Sequence, residues 1–383
     1  MGFMAPASVL GYIILEWKLS NAQAGWVGGA LFVGYIMLVP FLTAVTDRVD
    51  PKRIYLFCAA LGAAGNFGFA FIAYDLWTGV VFRMLTGIGL AGTFMPGLKA
   101  LTDQLEEGKA QQRAATYYTS CFALGSGLSI LVAGMAADFL EWRWAFILAG
   151  LGGLGAFCII LLVLPSKVPE PVSGSVFSVL DFRPIVRDRE VMAYVTASFG
   201  VAWEVFTSRI WLVTFFFYLQ ARYSSVEVWL GPAVWSTIVA LVGVPAAMVI
   251  GELSVRYNRR NILSSVAFVS CGFSVAIGYV IGSGYELSLL LCILFGITSY
   301  GRSAATTAGT VAVSDPKKRG GALAMQAFIG FSGGILGPLA FGIGLDFAGG
   351  NKVETAWITA MCVMAIGPFI TLLSMFGIKK DSA

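Results

Sequence analysis

Residues 22–46 read AQAGWVGGALFVGYIMLVPFLTAVT, a stretch of 25 residues in which no side chain is charged. A helix needs roughly 20 apolar residues to cross the hydrocarbon core of a bilayer, so this stretch is long enough to span one. The whole chain has the same character, because 58% of its 383 residues are apolar, 12% are charged, and the mean hydropathy is +0.82. Water-soluble proteins carry about 25% charged residues. The composition therefore predicts a membrane protein, most of whose residues lie in the lipid bilayer.

Runs of similar length recur along the chain, separated by charged residues or by Gly, Pro, Asn and Asp. They predict twelve membrane spans, at residues 1–17, 22–46, 54–74, 76–98, 114–139, 142–165, 191–219, 227–255, 262–282, 286–312, 321–347 and 354–378. The first run is short, but no basic segment precedes it, so we interpret it as a span and not as a signal peptide. The fold class predicted from this pattern is an all-α membrane protein.

The positions of lysine and arginine predict the orientation of the chain, because short cytoplasmic loops are enriched in them. Alternate connections and the C-terminal tail carry 18 of the 25 basic residues, whereas the other connections carry four. We therefore expect both termini in the cytoplasm and the chain in the inner (cytoplasmic) membrane. The net charge of +4 follows largely from this asymmetry, so it does not indicate a nucleic-acid partner.

Similar segments recur in the two halves of the chain. The fifth span ends GMAADF at residues 134–139, and the eleventh ends GIGLDF at residues 342–347. The longest polar connection, residues 166–190, separates six spans from six. A duplicated unit explains this pattern, and it predicts one six-helix bundle over residues 1–165, a cytoplasmic linker over 166–190 and a second bundle over 191–383.

Two short motifs carry a family resemblance. In the fourth span, Arg83, Gly87, Gly89 and Ala91 fit the pattern R-x-x-x-G-x-G-x-A. Charged residues follow the second span and, in a weaker copy, the eighth: Asp47, Arg48, Lys52 and Arg53, and then Arg256, Arg259 and Arg260. In these features the chain resembles the major facilitator superfamily over essentially its whole length.

This resemblance implies a fold of twelve transmembrane helices in two pseudo-symmetric six-helix bundles, which transports solutes by alternating access. It also implies that the charged loops, together with Asp103, form a cytoplasmic latch. The alternative for the basic residues is that they only orient the chain. One departure is informative, since the fifth span lacks the Gly-Pro pair usual in drug/proton antiporters, whereas Gly337 and Pro338 supply one in the eleventh. This departure disfavours multidrug efflux.

Four charged residues lie inside predicted spans and away from their ends: Glu204 and Arg302 near the middle, Arg209 five residues after Glu204, and Arg83 in the outer half of the fourth span. Such charges cost a few kcal/mol in a membrane and by default mark a pathway for a substrate or ion. Glu204 and Arg209 are five residues apart, about 140° around a helix, so they cannot both point directly into one cavity. Arg302 lies among small and hydroxyl side chains in GITSYGRSAATTAG, residues 296–309.

Arginine suits the binding of a carboxylate or another oxyanion, because its planar fork donates two parallel hydrogen bonds. We therefore predict substrate binding by Arg302 and Arg209, with support from Arg83 and, by adjacency, Trp203. The chain has no histidine, so a carboxylate must carry any proton, and Glu204 is the candidate for proton coupling. The alternative is that Glu204 forms a structural pair with an arginine.

Several classes of function are excluded or disfavoured. Without histidine there is no histidine-based catalysis or histidine-ligated metal, and the six scattered cysteines form no CxxC pair. We expect no enzyme activity, no metal and no cofactor. The favoured hypothesis is a monomeric secondary transporter of a small organic or inorganic anion, driven by protons. The alternatives are a proton-driven exporter of drugs or metabolites, and a transporter-like receptor or assembly factor.

Overall fold

The computed structural model describes residues 2–46, 48–105, 109–167, 182–224, 230–315 and 319–376. At residues 44, 109, 110, 112, 113, 115, 116, 119, 120, 123 and 184 it describes the backbone alone. Asp47, which the sequence places in the latch, lies outside the described residues.

Every predicted span corresponds to helical structure. A short 3₁₀ turn, Gly2–Met4, precedes the first α-helix. The α-helices are α1 (Ala5–Trp17), α2 (Asn21–Val45), α3 (Pro51–Phe71), α4 (Leu76–Thr102), α5 (Lys109–Phe139), α6 (Trp142–Val163), α7 (Arg183–Val186), α8 (Arg189–Arg222), α9 (Pro232–Arg256), α10 (Arg259–Tyr279), α11 (Tyr285–Val313), α12 (Arg319–Phe347), α13 (Glu354–Met364) and α14 (Ile366–Phe376).

Nine segments within the described ranges are long and apolar enough to cross a membrane, the last of them formed by α13 and α14 together. The remaining predicted spans correspond to α1 with its 3₁₀ turn, to α5 and to α8, whose interior charges interrupt its apolar character. Large apolar side chains are exposed on the membrane-spanning helices, among them Phe57 and Phe71 on α3 and Phe268 on α10. Such an outer surface suits lipid and not water. The chain is a multi-pass, all-α membrane protein.

Polar residues at the membrane surface fix where several helices begin. The carboxylate of Asp50 caps α3 by accepting a hydrogen bond from the backbone N–H of Lys52. Asp75 caps α4, Asp188 caps α8 and Asn258 caps α10 in the same way. These side chains satisfy N–H groups that have no partner within the helix, which is necessary close to lipid.

The twelfth predicted span is broken into α13 and α14 at Ala365. Pro368 explains the break, because it has no N–H to donate to the carbonyl of Met364, four residues earlier. The indole N–H of Trp203 in α8 donates to the neighbouring carbonyl of Val363, at 3.1 Å. A side chain from α8 therefore lies directly against the break.

The chain forms two compact units, and the first comprises Met1–Val9 and Ala30–Leu180. Its helices approach closely at positions occupied by glycine, where a larger residue would not fit. A Cβ atom at Gly87 would overlap the carbonyl oxygen of Leu31 in α2, and one at Gly89 would lie 2.5 Å from Gly62 in α3. The two motif glycines thus let α4 pack against both α2 and α3, as is usual for small residues in membrane helices.

The second unit comprises Leu10–Gly29 and Asp181–Ala383. The first turns of α2 belong to it because Gly25 packs against the backbone of α12 at Pro338. The carboxylate of Asp346, at the end of α12, also accepts hydrogen bonds from the backbone N–H groups of Asn21 and Ala22, at 3.0 and 2.8 Å. The division into bundles at 1–165, 166–190 and 191–383 remains a prediction.

Candidate functional site

A pair of opposite charges lies at the centre of the second unit. Arg302 in α11 donates a hydrogen bond to Oε2 of Glu204 in α8, and neither side chain has any exposed surface. Each residue lies near the middle of its helix. The charge pair therefore lies deep within the membrane, where neither partner is solvated by bulk water.

Hydroxyl groups complete this charge pair. Ser270 in α10 donates to Oε1 of Glu204 at 2.5 Å, and Thr298 donates to Ser270 at 3.0 Å. The Nε of Arg302 donates to the backbone carbonyl of Thr298 at 3.1 Å. These bonds tie α8, α10 and α11 together, and both carboxylate oxygens have a donor. The buried Nη1 of Arg302 has no hydrogen-bond partner among the described residues, so the carboxylate is fully satisfied and the guanidinium only in part.

Arg209, five residues after Glu204 in α8, has a different environment. Its guanidinium carbon lies 5.0 Å from the ring centroid of Tyr300 and 5.7 Å from that of Phe206, within the range of a cation–π contact. In the part of the chain that the structure describes, no carboxylate pairs with Arg209, and its buried Nε has no hydrogen-bond partner. The side chain is half-buried. Among the described residues, Arg209 is thus a partly accessible cation without a carboxylate partner.

Arg83, the third arginine, is buried in the first unit. One of its terminal nitrogens donates to the backbone carbonyl of Phe3 at 2.7 Å. Its Nε and Nη1 have no partner among the described residues. The motif arginine thus secures the 3₁₀ turn at the start of the chain.

Trp203, predicted to contact substrate, is buried, with its indole N–H bonded to α13 as described above. Its ring lies beside that of Phe199, with centroids 5.9 Å apart. The structure thus brings Trp203 to the helix break, Glu204 to Arg302, and Arg209 to two aromatic rings.

In the first unit, lysine side chains donate hydrogen bonds to backbone carbonyls at the ends of helices. Lys52 donates to the carbonyls of Leu161 and Leu164 at the end of α6, at 3.0 and 2.5 Å. The backbone carbonyl of Asp103, which ends α4, accepts a hydrogen bond from Lys167. Arg48 and Arg53 are exposed. A cation at the C-terminus of a helix interacts favourably with its dipole, and this explains the position of Lys52.

The second copy of this loop lies between α9 and α10. Arg256 forms an exposed salt bridge with Glu252, four residues earlier, at 2.7 Å. Arg259 and Arg260 form the first turn of α10 and are half-buried. The role of both loops as a latch remains a prediction.

The polar and aromatic partners of these charges were not predicted from the sequence: Ser208, Ser270, Thr298 and Tyr300. Two of them, Thr298 and Tyr300, belong to the hydroxyl-rich stretch that contains Arg302, so their proximity to it was the available signal. Within the described residues, no group of three or more His, Cys, Asp or Glu side chains is arranged to hold a metal ion.

A comparison with protein families finds one match over most of the chain. The family model described as Major Facilitator Superfamily matches residues 1–338. The motif residues in α4 and the loops after α2 and α9 all lie within this range.

Two curated relatives are described as carriers of aromatic acids. The gentisate transporter of Corynebacterium glutamicum is 28% identical over 154 residues, which are 39% of this chain and 34% of the relative. The 4-hydroxybenzoate transporter PcaK of Acinetobacter baylyi is 24% identical over an alignment that covers 97% of this chain and 86% of the relative. The chain spans about a third of the length of the first curated relatives that it matches.

Among solved structures, a mutant of the nucleoside transporter NupG superposes with a TM-score of 0.77. The superposition covers 99% of this chain and 97% of that one, at 17% sequence identity. At this level of identity, the likeness concerns the fold alone.

Proposed function

This chain belongs to the major facilitator superfamily, and we propose that it is a secondary transporter of a small organic anion, working by alternating access. The observation that carries the proposal is the environment of Arg209. It is a half-buried arginine in the middle of a membrane helix with no carboxylate partner among the described residues. An uncompensated cation in this position is costly unless a substrate or ion supplies the negative charge.

The charges of the second unit support an anionic substrate. Glu204 neutralises Arg302, so Arg209 carries the remaining positive charge among the three charged residues that lie well inside the spans of this unit. A guanidinium offers two parallel N–H donors, which match the two oxygens of a carboxylate. The gentisate and 4-hydroxybenzoate relatives are named for aromatic carboxylates. We therefore propose an aromatic monocarboxylate as the substrate class.

Proton coupling is assigned to the pair of Glu204 and Arg302. A second carboxylate cannot approach Arg302 favourably while Glu204 is ionised, because two negative charges would then share one buried guanidinium. When Glu204 takes up a proton, Arg302 loses its counter-charge and becomes available to the anion. One proton would then accompany one carboxylate, which describes symport. Arg83 and Trp203 remain proposed supporting residues of the substrate pathway.

Transport by the purified protein in liposomes tests the substrate assignment. Uptake of radiolabelled 4-hydroxybenzoate is compared with uptake of 4-hydroxybenzamide, which keeps the ring and lacks the negative charge. We expect uptake of the acid only. Arg209→Ala should weaken uptake by about 10- to 100-fold, since a hydrogen bond to a charged group contributes about 1.5–3 kcal/mol. Arg222→Ala, which removes an exposed arginine, paired with Glu354, at the end of the same helix, is the matched control.

Equal uptake of acid and amide, or no effect of Arg209→Ala on any aromatic acid, would refute an anion carrier. A thermal shift with cationic drugs would support an exporter instead, because a ligand that binds only the folded state raises its apparent stability. The coupling is tested with the double variant Glu204→Gln, Arg302→Gln, which contains neither charge. This variant should retain 4-hydroxybenzoate binding at Arg209 and lose accumulation driven by a proton gradient.

The remaining assignments are also proposals. The distribution of basic residues supports the placement of both termini on the cytoplasmic side of an inner membrane. Labelling of single cysteines placed at Lys18 and Lys167 from outside intact cells tests this, with reaction expected only at residue 18. The latch function of the charged loops, and the monomeric state, rest on the family resemblance.

A further inference from the structure

Tyr300 is the residue of α11 that faces Arg209, two positions before Arg302 along the chain. Its ring centroid lies 5.0 Å from the guanidinium carbon of Arg209. Its hydroxyl lies 3.1 Å from Oγ of Ser208, the neighbour of Arg209 in α8. The side chain is 7% exposed, so it fills space inside the bundle. One tyrosine therefore contacts two adjacent residues of α8, one through its ring and one through its hydroxyl.

A third helix provides the space for this tyrosine. A Cβ atom at Gly243 of α9 would overlap Cβ of Tyr300, so no larger residue fits there without movement of α11. At the next position of α11, Gly301 lies close to Ala246 and Ile250 of α9. The position of the ring is thus fixed by α9 behind it and by the hydrogen bond to Ser208 at its far end.

The two arginines inside the membrane spans of the second unit, Arg209 and Arg302, are stabilised by different chemistry. The carboxylate of Glu204 compensates Arg302 and occupies one of its N–H donors. An aromatic ring attracts a cation through its π-electrons and leaves the donors in the guanidinium plane unoccupied. The contacts with Tyr300 and Phe206 therefore stabilise Arg209 without competing for the groups that a carboxylate would bind.

We propose that Tyr300 is a positioning and specificity-determining residue, which holds the Arg209 guanidinium ready to bind the carboxylate of the substrate. This inference rests on the proposed function, because it assigns Tyr300 a role only if Arg209 binds the anion. The ring is the essential part, and the hydroxyl serves to orient it through Ser208. A neutral or cationic solute gains nothing from this arrangement, so Tyr300 contributes to selection of anions.

Substitution of the ring separates this role from simple packing. Tyr300→Leu removes the π-system, Tyr300→Met is a second ring-free variant in case the first does not fold, and Tyr300→Phe keeps the ring. The measured quantities are KM and maximal rate for uptake of 4-hydroxybenzoate, and Kd in detergent. The matched control is Tyr285→Phe, a buried tyrosine at the start of the same helix.

We expect the ring-free variants to raise KM and Kd about 10-fold, which corresponds to about 1.4 kcal/mol, because they remove the cation–π contact with Arg209. Tyr300→Phe should change Kd less than about 3-fold, because the cation–π contact remains. In the Arg209→Ala background, Tyr300→Leu should have little further effect on Kd, since the group that it positions is gone.

Two results would overturn the inference. One is a ring-free variant that binds with wild-type Kd and loses only maximal rate, which indicates a packing role. The other is an equal fold-loss from Tyr300→Leu with and without Arg209. If Arg209→Ala itself leaves uptake unchanged, the proposed function fails instead, so the two failures are distinguishable.

Discussion

Replacement of Glu204 by glutamine tests how far the second unit depends on its buried charge pair. The substitution keeps the shape of the side chain and removes the negative charge beside Arg302, which has no exposed surface. The amide can still accept a hydrogen bond from Ser270, so packing changes little. What remains is a buried guanidinium without the one counter-charge that it contacts in the described part of the chain.

Removal of one partner from a buried ion pair costs about 3–5 kcal/mol, because the other charge remains desolvated. Each kcal/mol shifts the melting temperature of a unit of 150–250 residues by about 2–4 °C. We therefore expect Glu204→Gln to melt roughly 6–20 °C below the wild type. The double variant Glu204→Gln, Arg302→Met should recover most of this loss, since an apolar replacement of the whole pair is often neutral.

The assay is the intrinsic-fluorescence melting temperature of the purified protein in one detergent, at fixed pH and protein concentration. Glu252→Gln is the control, because Glu252 belongs to an exposed pair with Arg256 and such pairs contribute at most about 1 kcal/mol. A Glu204→Gln variant that melts within about 2 °C of the wild type would refute the reasoning. So would a double variant less stable than the single one.

Three further predictions concern helix packing and helix ends. Gly87→Val should reduce the yield of monodisperse protein in size-exclusion chromatography, because the valine side chain would overlap the backbone of α2. Gly152→Ala is the control and should not reduce this yield, because the new methyl group points into open space. Asp346→Ala should lower the melting temperature by an amount equivalent to about 0.5–2 kcal/mol, since it removes the cap of α2. Asp138→Ala, at the matching position of the repeated segment GMAADF, changes an exposed residue and should have little effect. Hydrogen bonds from the side chain and backbone of Thr78 lower the pKa of Asp75, so the stabilisation by this cap is present at neutral pH and lost as pH falls through that lowered pKa. The melting temperatures of Asp75→Ala and the wild type should therefore converge in acid, and a constant difference down to pH 2 would contradict this.

The helices could be predicted from the sequence because lipid imposes a simple rule, a run of apolar residues of fixed length. Even α8, which fails a strict test of apolarity, was found, since its charges are few and its apolar run is long. The break at Ala365 was missed, although Pro368 was a visible signal. A proline interrupts one hydrogen bond in a membrane helix, but neighbouring helices determine whether the helix then continues or breaks.

The partner of Glu204 could not be predicted in the same way. Helix geometry disfavoured a direct pair with Arg209, but it contains no information on which other helix lies beside α8. The hydroxyl groups were equally ambiguous. Ser254 and Thr306 donate to carbonyls of their own helices, as serine and threonine commonly do, whereas Ser270 donates across to Glu204. The sequence contains the same residue type in both situations, and only the packing of the helices distinguishes them.

The three membrane arginines show why composition alone cannot identify a binding residue. Arg83 is held by a backbone carbonyl, Arg302 by a carboxylate and Arg209 by aromatic rings. A neutral carbonyl and a π-face leave the positive charge in place, whereas a carboxylate cancels it. A carboxylate at residue 300 would therefore give Arg209 the same environment as Arg302. Tyr300→Glu should accordingly abolish binding of 4-hydroxybenzoate while preserving the fold, and retained binding would mean that the anion is held elsewhere.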